Sequence, residues 1–86
     1  MFELIFTERA LKSLKKIPKN DATKILDKLE NLTKNPSNST NIKQLTAHPL
    51  ATFRLRVGNY RVLFDKEDTL KIIEIIEIGH RKNIYS

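Results

Sequence analysis

Residues 53 to 64 read FRLRVGNYRVLF, and the arginines at 54, 56 and 61 are spaced to meet a single anion. Phe53, Leu55 and Val57 alternate with Arg54 and Arg56, the period-two pattern of a strand with one apolar face. Gly58-Asn59 is a two-residue turn of hairpin type, because both residue types tolerate positive φ. With those two residues as the loop, Val57 lies opposite Tyr60, Arg56 opposite Arg61, and Leu55 opposite Val62. Directly opposed residues share a face, so Arg54, Arg56 and Arg61 all project away from the apolar side. Like charges directly opposed across a sheet destabilise it. An anion held between them relieves that repulsion, and a phosphodiester backbone suits the geometry. The alternative is a solvated face whose arginines pair with nearby acids such as Glu74 or Glu77.

Net charge points the same way. Sixteen basic residues against ten acidic ones give +6 over 86 residues, with a pI near 9.8. This balance favours a polyanionic partner: nucleic acid, an anionic membrane surface or an acidic protein. The two kinds of base segregate along the chain. Lysine dominates the first half (Lys12, Lys15, Lys16, Lys19, Lys24, Lys28, Lys34), whereas arginine gathers at 54, 56, 61 and 81. Arginine's planar fork binds phosphate bidentately, while helical lysines mostly solvate a surface.

These residues must be positioned by one small domain spanning 1–86, since a chain of 86 residues has no room for a second core. The absence of cysteine removes disulfide and thiol chemistry and fits a reducing cytoplasm. The opening FELIF lacks a basic stretch ahead of a long apolar run, so no signal peptide is expected. No apolar stretch approaches the ~20 residues that span a bilayer. A soluble protein is expected.

Phe2, Leu4 and Phe6 alternate as a short first strand. Thr7 can cap a helix with Glu8 in its first turn, and Ala10, Leu11, Leu14 and Ile17 recur at helical spacing until Pro18. A second helix is predicted from Asn20 or Asp21, with a stripe of Ala22, Ile25, Leu26, Leu29 and Leu32, ended by Asn35-Pro36. Residues 36–42 (PSNSTNI) read as a polar surface loop, Lys43 to Leu45 as a possible short strand, and TAHPLAT (46–52) as irregular. The arginine hairpin follows, then a KEDT turn at 66–69. Leu70 to Ile78 make the most apolar strand, covered on both faces and ended by Gly79. The order is β-α-α-β-β-β. It implies an α+β two-layer sandwich, an N-terminal αα-hairpin packed on one face of a mostly antiparallel sheet. The register across the KEDT turn is open by one residue.

The run RLRVGNYRVLF, an acidic turn, an isoleucine-rich strand and the close GHRKNIY resemble the RelE/ParE superfamily of type II toxins, most closely its RelE branch. Element order, length, basic charge and lack of cysteine agree over the whole chain. The resemblance implies a metal-independent microbial endoribonuclease that cuts mRNA in the ribosomal A site, against the ribosomal RNA. It needs no cofactor, and an acidic, RelB-like antitoxin holds it inactive. Cleavage uses the RNA's own 2′-hydroxyl as nucleophile. By the same resemblance Arg54 and Arg56 contact RNA, while Arg61, Arg81 and Tyr85 serve catalysis; Lys43 is a further expected RNA contact, and His80, the neighbour of Arg81, a further catalytic candidate. Fixed guanidinium donors would stabilise charge on the phosphate oxygens, the role assigned to Arg61. Arg81 or His80 would protonate the leaving 5′-oxygen, and Tyr85 would stack on a base.

In one respect this chain departs from the family. The best-known relatives carry lysines at the positions of Arg54 and Arg56, one of them proposed as a base of lowered pKa. Arginine does not deprotonate in proteins. Either another group serves, or the base is dispensable, or the protein is not a nuclease. His80 is the titratable group best suited by type; otherwise it is a surface residue or a hydrogen-bond partner. His48 is a weaker candidate, and two isolated histidines make no metal site. Tyr85 either stacks on a base or merely packs its ring on the sheet. Two other functions remain open: a ParE-like protein that poisons DNA gyrase without nuclease activity, and a non-catalytic binding module.

Overall fold

A computed structural model of the chain describes residues 1–35 and 41–84. Strand β1 (Glu3–Phe6) leads into helix α1 (Glu8–Lys16) and helix α2 (Lys19–Lys34). Four further strands follow: β2 (Ile42–Gln44), β3 (Phe53–Val57), β4 (Tyr60–Glu67) and β5 (Ile72–His80). The sheet runs β1-β5-β4-β3-β2. Only the β1–β5 pairing is parallel, and the others are antiparallel.

Local chemistry sets these boundaries. Thr7 caps α1: its Oγ1 accepts from the Ala10 amide at 3.0 Å and donates to the Ile76 carbonyl at 2.8 Å, tying the helix start to β5. Ile17 closes the helix by donating its amide to the Leu14 carbonyl, and Pro18 prevents continuation. The second helix then begins at Lys19, earlier than the predicted Asn20 or Asp21, with Pro18 supplying only a carbonyl to the Ala22 amide.

Both helices cover one face of the sheet. Ala10, Ile25, Leu29 and Leu32 meet Leu55, Val57, Val62, Phe64, Ile73, Ile75 and Ile78, all buried. The predicted two-layer α+β sandwich is what forms.

The structure moves several predicted boundaries. The possible strand at Lys43–Leu45 forms at Ile42–Gln44 and gives the sheet a fifth member beyond the predicted order. Strand β4 continues through Glu67, so the turn falls at 68–71 rather than 66–69, with Lys71 at φ 57. Gly79 does not end β5; it pairs with Arg61 inside the strand. The two sides of β5 are unequal: Ile73 and Ile75 are buried, while Ile72 and Ile76 are half-buried. A bulge lets Leu63 pair with Glu77 while Phe64 pairs with Ile75, leaving Ile76 as the extra residue. The predicted loop at 36–42 lies outside the described residues except for its last two positions.

Candidate nucleic-acid interface

The hairpin forms on the predicted register. Gly58 adopts φ +58, the left-handed conformation that a primed two-residue turn needs. Val57 then faces Tyr60, Arg56 faces Arg61, and Leu55 faces Val62. Leu55, Val57 and Val62 are buried under the helices, so alternation sends the arginines to the other face. Neighbouring pairings extend that face into two rows. Lys43, Arg54, Leu63 and Glu77 stand opposite one another across β2 to β5, and Arg56, Arg61 and Gly79 make the adjacent row.

The basic side chains are held differently. Nη1 of Arg61 donates to the Gly58 and Tyr60 carbonyls, both at 2.9 Å, so its guanidinium lies along the hairpin loop. Arg56 is exposed and reaches the Asn41 side-chain oxygen at 3.4 Å, while its amide donates to the Asn41 carbonyl. Nε of Arg54 is buried without a hydrogen-bond partner, an unsatisfied donor of the kind that folded proteins rarely leave. Lys43 is exposed. Arg81 joins the group through its backbone, because its amide donates to the Asn59 carbonyl at 2.8 Å and pins the C-terminal turn to the hairpin loop.

Glu77 is occupied from another direction. Its carboxylate accepts from Arg9 Nε at 2.7 Å, Ser13 Oγ at 2.6 Å and the Ile78 amide at 2.9 Å. Strand β1 stops at Phe6, opposite Ile75, and the start of α1 takes over the edge of β5 from there. Arg9 and Ser13, one turn apart, therefore meet Glu77.

Beside the arginine rows lies a cavity of about 650 Å³, and His80 and His48 line it whereas Arg54, Arg56 and Arg61 do not. The arginine rows thus form a basic surface next to a separate cavity. Nδ1 of His80 accepts from the Lys82 amide at 3.2 Å, which leaves Nε2 as the nitrogen for proton exchange. Nδ1 of His48 accepts from the Leu50 and Ala51 amides, so His48 organises its own turn. Among the described residues no cluster of three acids or histidines could hold a metal.

Sequence reasoning missed Tyr60. Its ring meets His80 edge-on at 5.7 Å between centroids, and its hydroxyl donates to Asp21 of α2 at 3.3 Å. Partial burial first, then the Asp21 charge and hydrogen bond, raise the Tyr60 pKa above its ordinary value. The signal available was its place beside Arg61, but its contact with His80 depends on the β4–β5 register. Tyr85 lies outside the described residues.

Comparison with known proteins places this geometry. The ParE toxin family of type II toxin–antitoxin systems matches residues 4–85. Among solved structures, the toxin–antitoxin complex RelBE2 from Mycobacterium tuberculosis contains a chain with TM-score 0.80 and 26% identity, covering 93% of this chain and 98% of that one. The RelB–RelE antitoxin–toxin complex from Methanococcus jannaschii gives TM-score 0.74 and 28% identity, with 94% of each chain covered. The intact RelBE complex of E. coli gives TM-score 0.74 and 26% identity over 93% of this chain and 96% of that one. No curated protein matches. Among the described residues no helix is long and apolar enough to cross a membrane.

Proposed function

This chain belongs to the ParE toxin family of type II toxin–antitoxin systems, and on that premise we propose that it is an mRNA endonuclease of RelE type, acting on the ribosome. The observation that carries this reading is the pairing of Arg56 with Arg61 on the face opposite the buried core, flanked by Arg54 and Lys43. A surface that sets two arginines at directly opposed strand positions is suited to an anion with several oxygens.

In this mechanism Lys43, Arg54 and Arg56 hold the RNA backbone, and the 2′-hydroxyl gives its proton to solvent water as its oxygen attacks the adjacent phosphorus. The new O–P bond forms as the bond to the 5′-oxygen breaks, leaving a 2′,3′-cyclic phosphate. Arg61, with Nη1 held against the hairpin carbonyls, brings the positive charge of its guanidinium to the charge that grows on the phosphate oxygens. The departing 5′-oxygen takes a proton from Nε2 of His80 in its imidazolium form. That form arises as Nδ1 releases the Lys82 amide and takes a proton from water, and Arg81 adds positive charge beside it. No arginine serves as the base. Tyr85 stacks on a base next to the cut. The partner in the resting state is an acidic, RelB-like antitoxin, as the complexes of similar chains suggest. Nothing in the scheme calls on a metal or cofactor.

A second reading rests on the matching family itself, which carries the ParE name. On that reading the same basic face binds DNA gyrase and cuts nothing. Inducing the chain in cells and mapping the 5′ ends of truncated transcripts separates the two. The endonuclease gives new ends within codons of translated mRNA. Gyrase-dependent DNA breaks with intact mRNA would reject it.

A further inference from the structure

We propose that the cavity beside the arginine rows receives one nucleobase of the bound RNA strand and so sets which sequences are cut; this rests on the RNA-binding reading above. Two residues that line the cavity stand next to the arginines: Leu63 is the cross-strand partner of Arg54, and Gly79 that of Arg61. Adjacent strands lie about 4.8 Å apart, so the cavity lining begins one strand away from the backbones of Arg54 and Arg61. Gly79 has no side chain, and Ile84 of the C-terminal turn packs over it and forms part of the apolar wall. A nucleotide whose phosphate meets the arginine rows thus has a concave, mostly apolar space beside it, on the neighbouring strand positions.

The chemistry of the lining selects the occupant. Leu50 and Leu63 offer apolar surface, the rings of Tyr60 and His80 offer edges and faces, and Asn83 offers a neutral donor and acceptor. The acid in the cavity, Glu77, is already bonded to Arg9 and Ser13, so it does not present an uncompensated charge to an anionic ligand. A flat body with polar edges, attached to a phosphate, is a nucleotide. Basic net charge adds to the preference.

The test is an NMR titration of the full chain with the four ribonucleoside 3′-monophosphates. Amide resonances of Leu50, Leu63, Gly79 and Asn83 are expected to move together with that of Arg61, with one base bound most tightly. Leu50, an exposed cavity residue, can be trimmed without harm to the core. Leu50→Ala should weaken the preferred nucleotide about tenfold, the scale of one lost base contact, and level the differences among bases. Arg61→Ala should weaken all four nucleotides alike. Equal binding of all four bases with shifts confined to the arginines overturns the proposal, as does a cavity that responds only to an acidic peptide. The titration requires neither ribosome nor cleavage. A chain that selects a base here but leaves mRNA intact keeps the pocket and loses the nuclease reading. A chain whose Leu50→Ala variant cuts transcripts with unchanged base preference does the reverse.

Discussion

The two faces of the sheet follow opposite rules. Under the helices, Val62, Ile73 and Ile75 are wholly buried and Phe64 and Ile78 nearly so, and the side chains are uniformly apolar. On the other face the same strands carry Lys43, Arg54, Arg56 and Arg61, with like charges directly opposed. Alternation along β3 and β4 lets neighbouring residues serve folding and binding separately. The comparison teaches that substitutions on the two faces should have nearly independent effects: stability falls on one side and function on the other.

The largest expected effect breaks the covered face. Phe64→Ala should lose about 3–5 kcal/mol, a large share of the ~5–15 kcal/mol available to a domain, and chemical denaturation will show a sharply lowered midpoint or no folded baseline. On the open face, Arg61→Ala should leave the denaturation midpoint within the usual scatter of surface substitutions. It should also reduce cleavage about 10²–10³-fold, as expected for one lost oxyanion donor. A variant of Arg61 that unfolds the protein would erase the distinction between the faces.

How much of this division can be read from residues alone depends on local contrast. Gly58-Asn59 flanked by alternating residues specifies the hairpin and the Arg56–Arg61 pairing, because turn type determines register. The isoleucine run 72–78 has no such contrast, since apolar residues occur at successive positions and hide the bulge. Without the bulge, the meeting of Glu77 with Arg9 and Ser13 cannot be foreseen, and Glu77 looks like a partner for the arginines. Leu63 illustrates the same difficulty from the other side: it lies on the arginine face yet is only 1% exposed. Its burial depends on how the chain returns across the sheet, which no periodicity reports. The positive φ of Ala47 and Lys71 is equally silent, because neither is glycine.

A smaller effect sharpens the boundary between helix and sheet. Thr7→Ala removes both the α1 cap and the hydrogen bond to Ile76, and should lower stability by about 1 kcal/mol or somewhat more, measured by thermal or urea unfolding. Smaller still is the contribution of Tyr60, where the faces meet at the sheet end. Its pKa is raised in the folded state, so its contribution is complete below the unfolded tyrosine value and is lost as pH rises through the higher folded value. Parent and Tyr60→Phe should therefore converge in stability on alkaline titration, whereas a constant gap would show that the Asp21 contact is not responsible.

If the face is built for RNA, Arg56 and Arg61 are a strained, directly opposed pair that an RNA phosphate relieves. Melting temperatures of the parent and Arg56→Gln, at low ionic strength with and without a short RNA oligonucleotide, test this. Without RNA the variant should melt higher, by the few tenths to about 1 kcal/mol assigned to opposed like charges; RNA should then raise the parent more than the variant and close or reverse the gap. A variant that melts lower on its own, with RNA raising both proteins equally, would contradict the claim that this face is built to hold an anion.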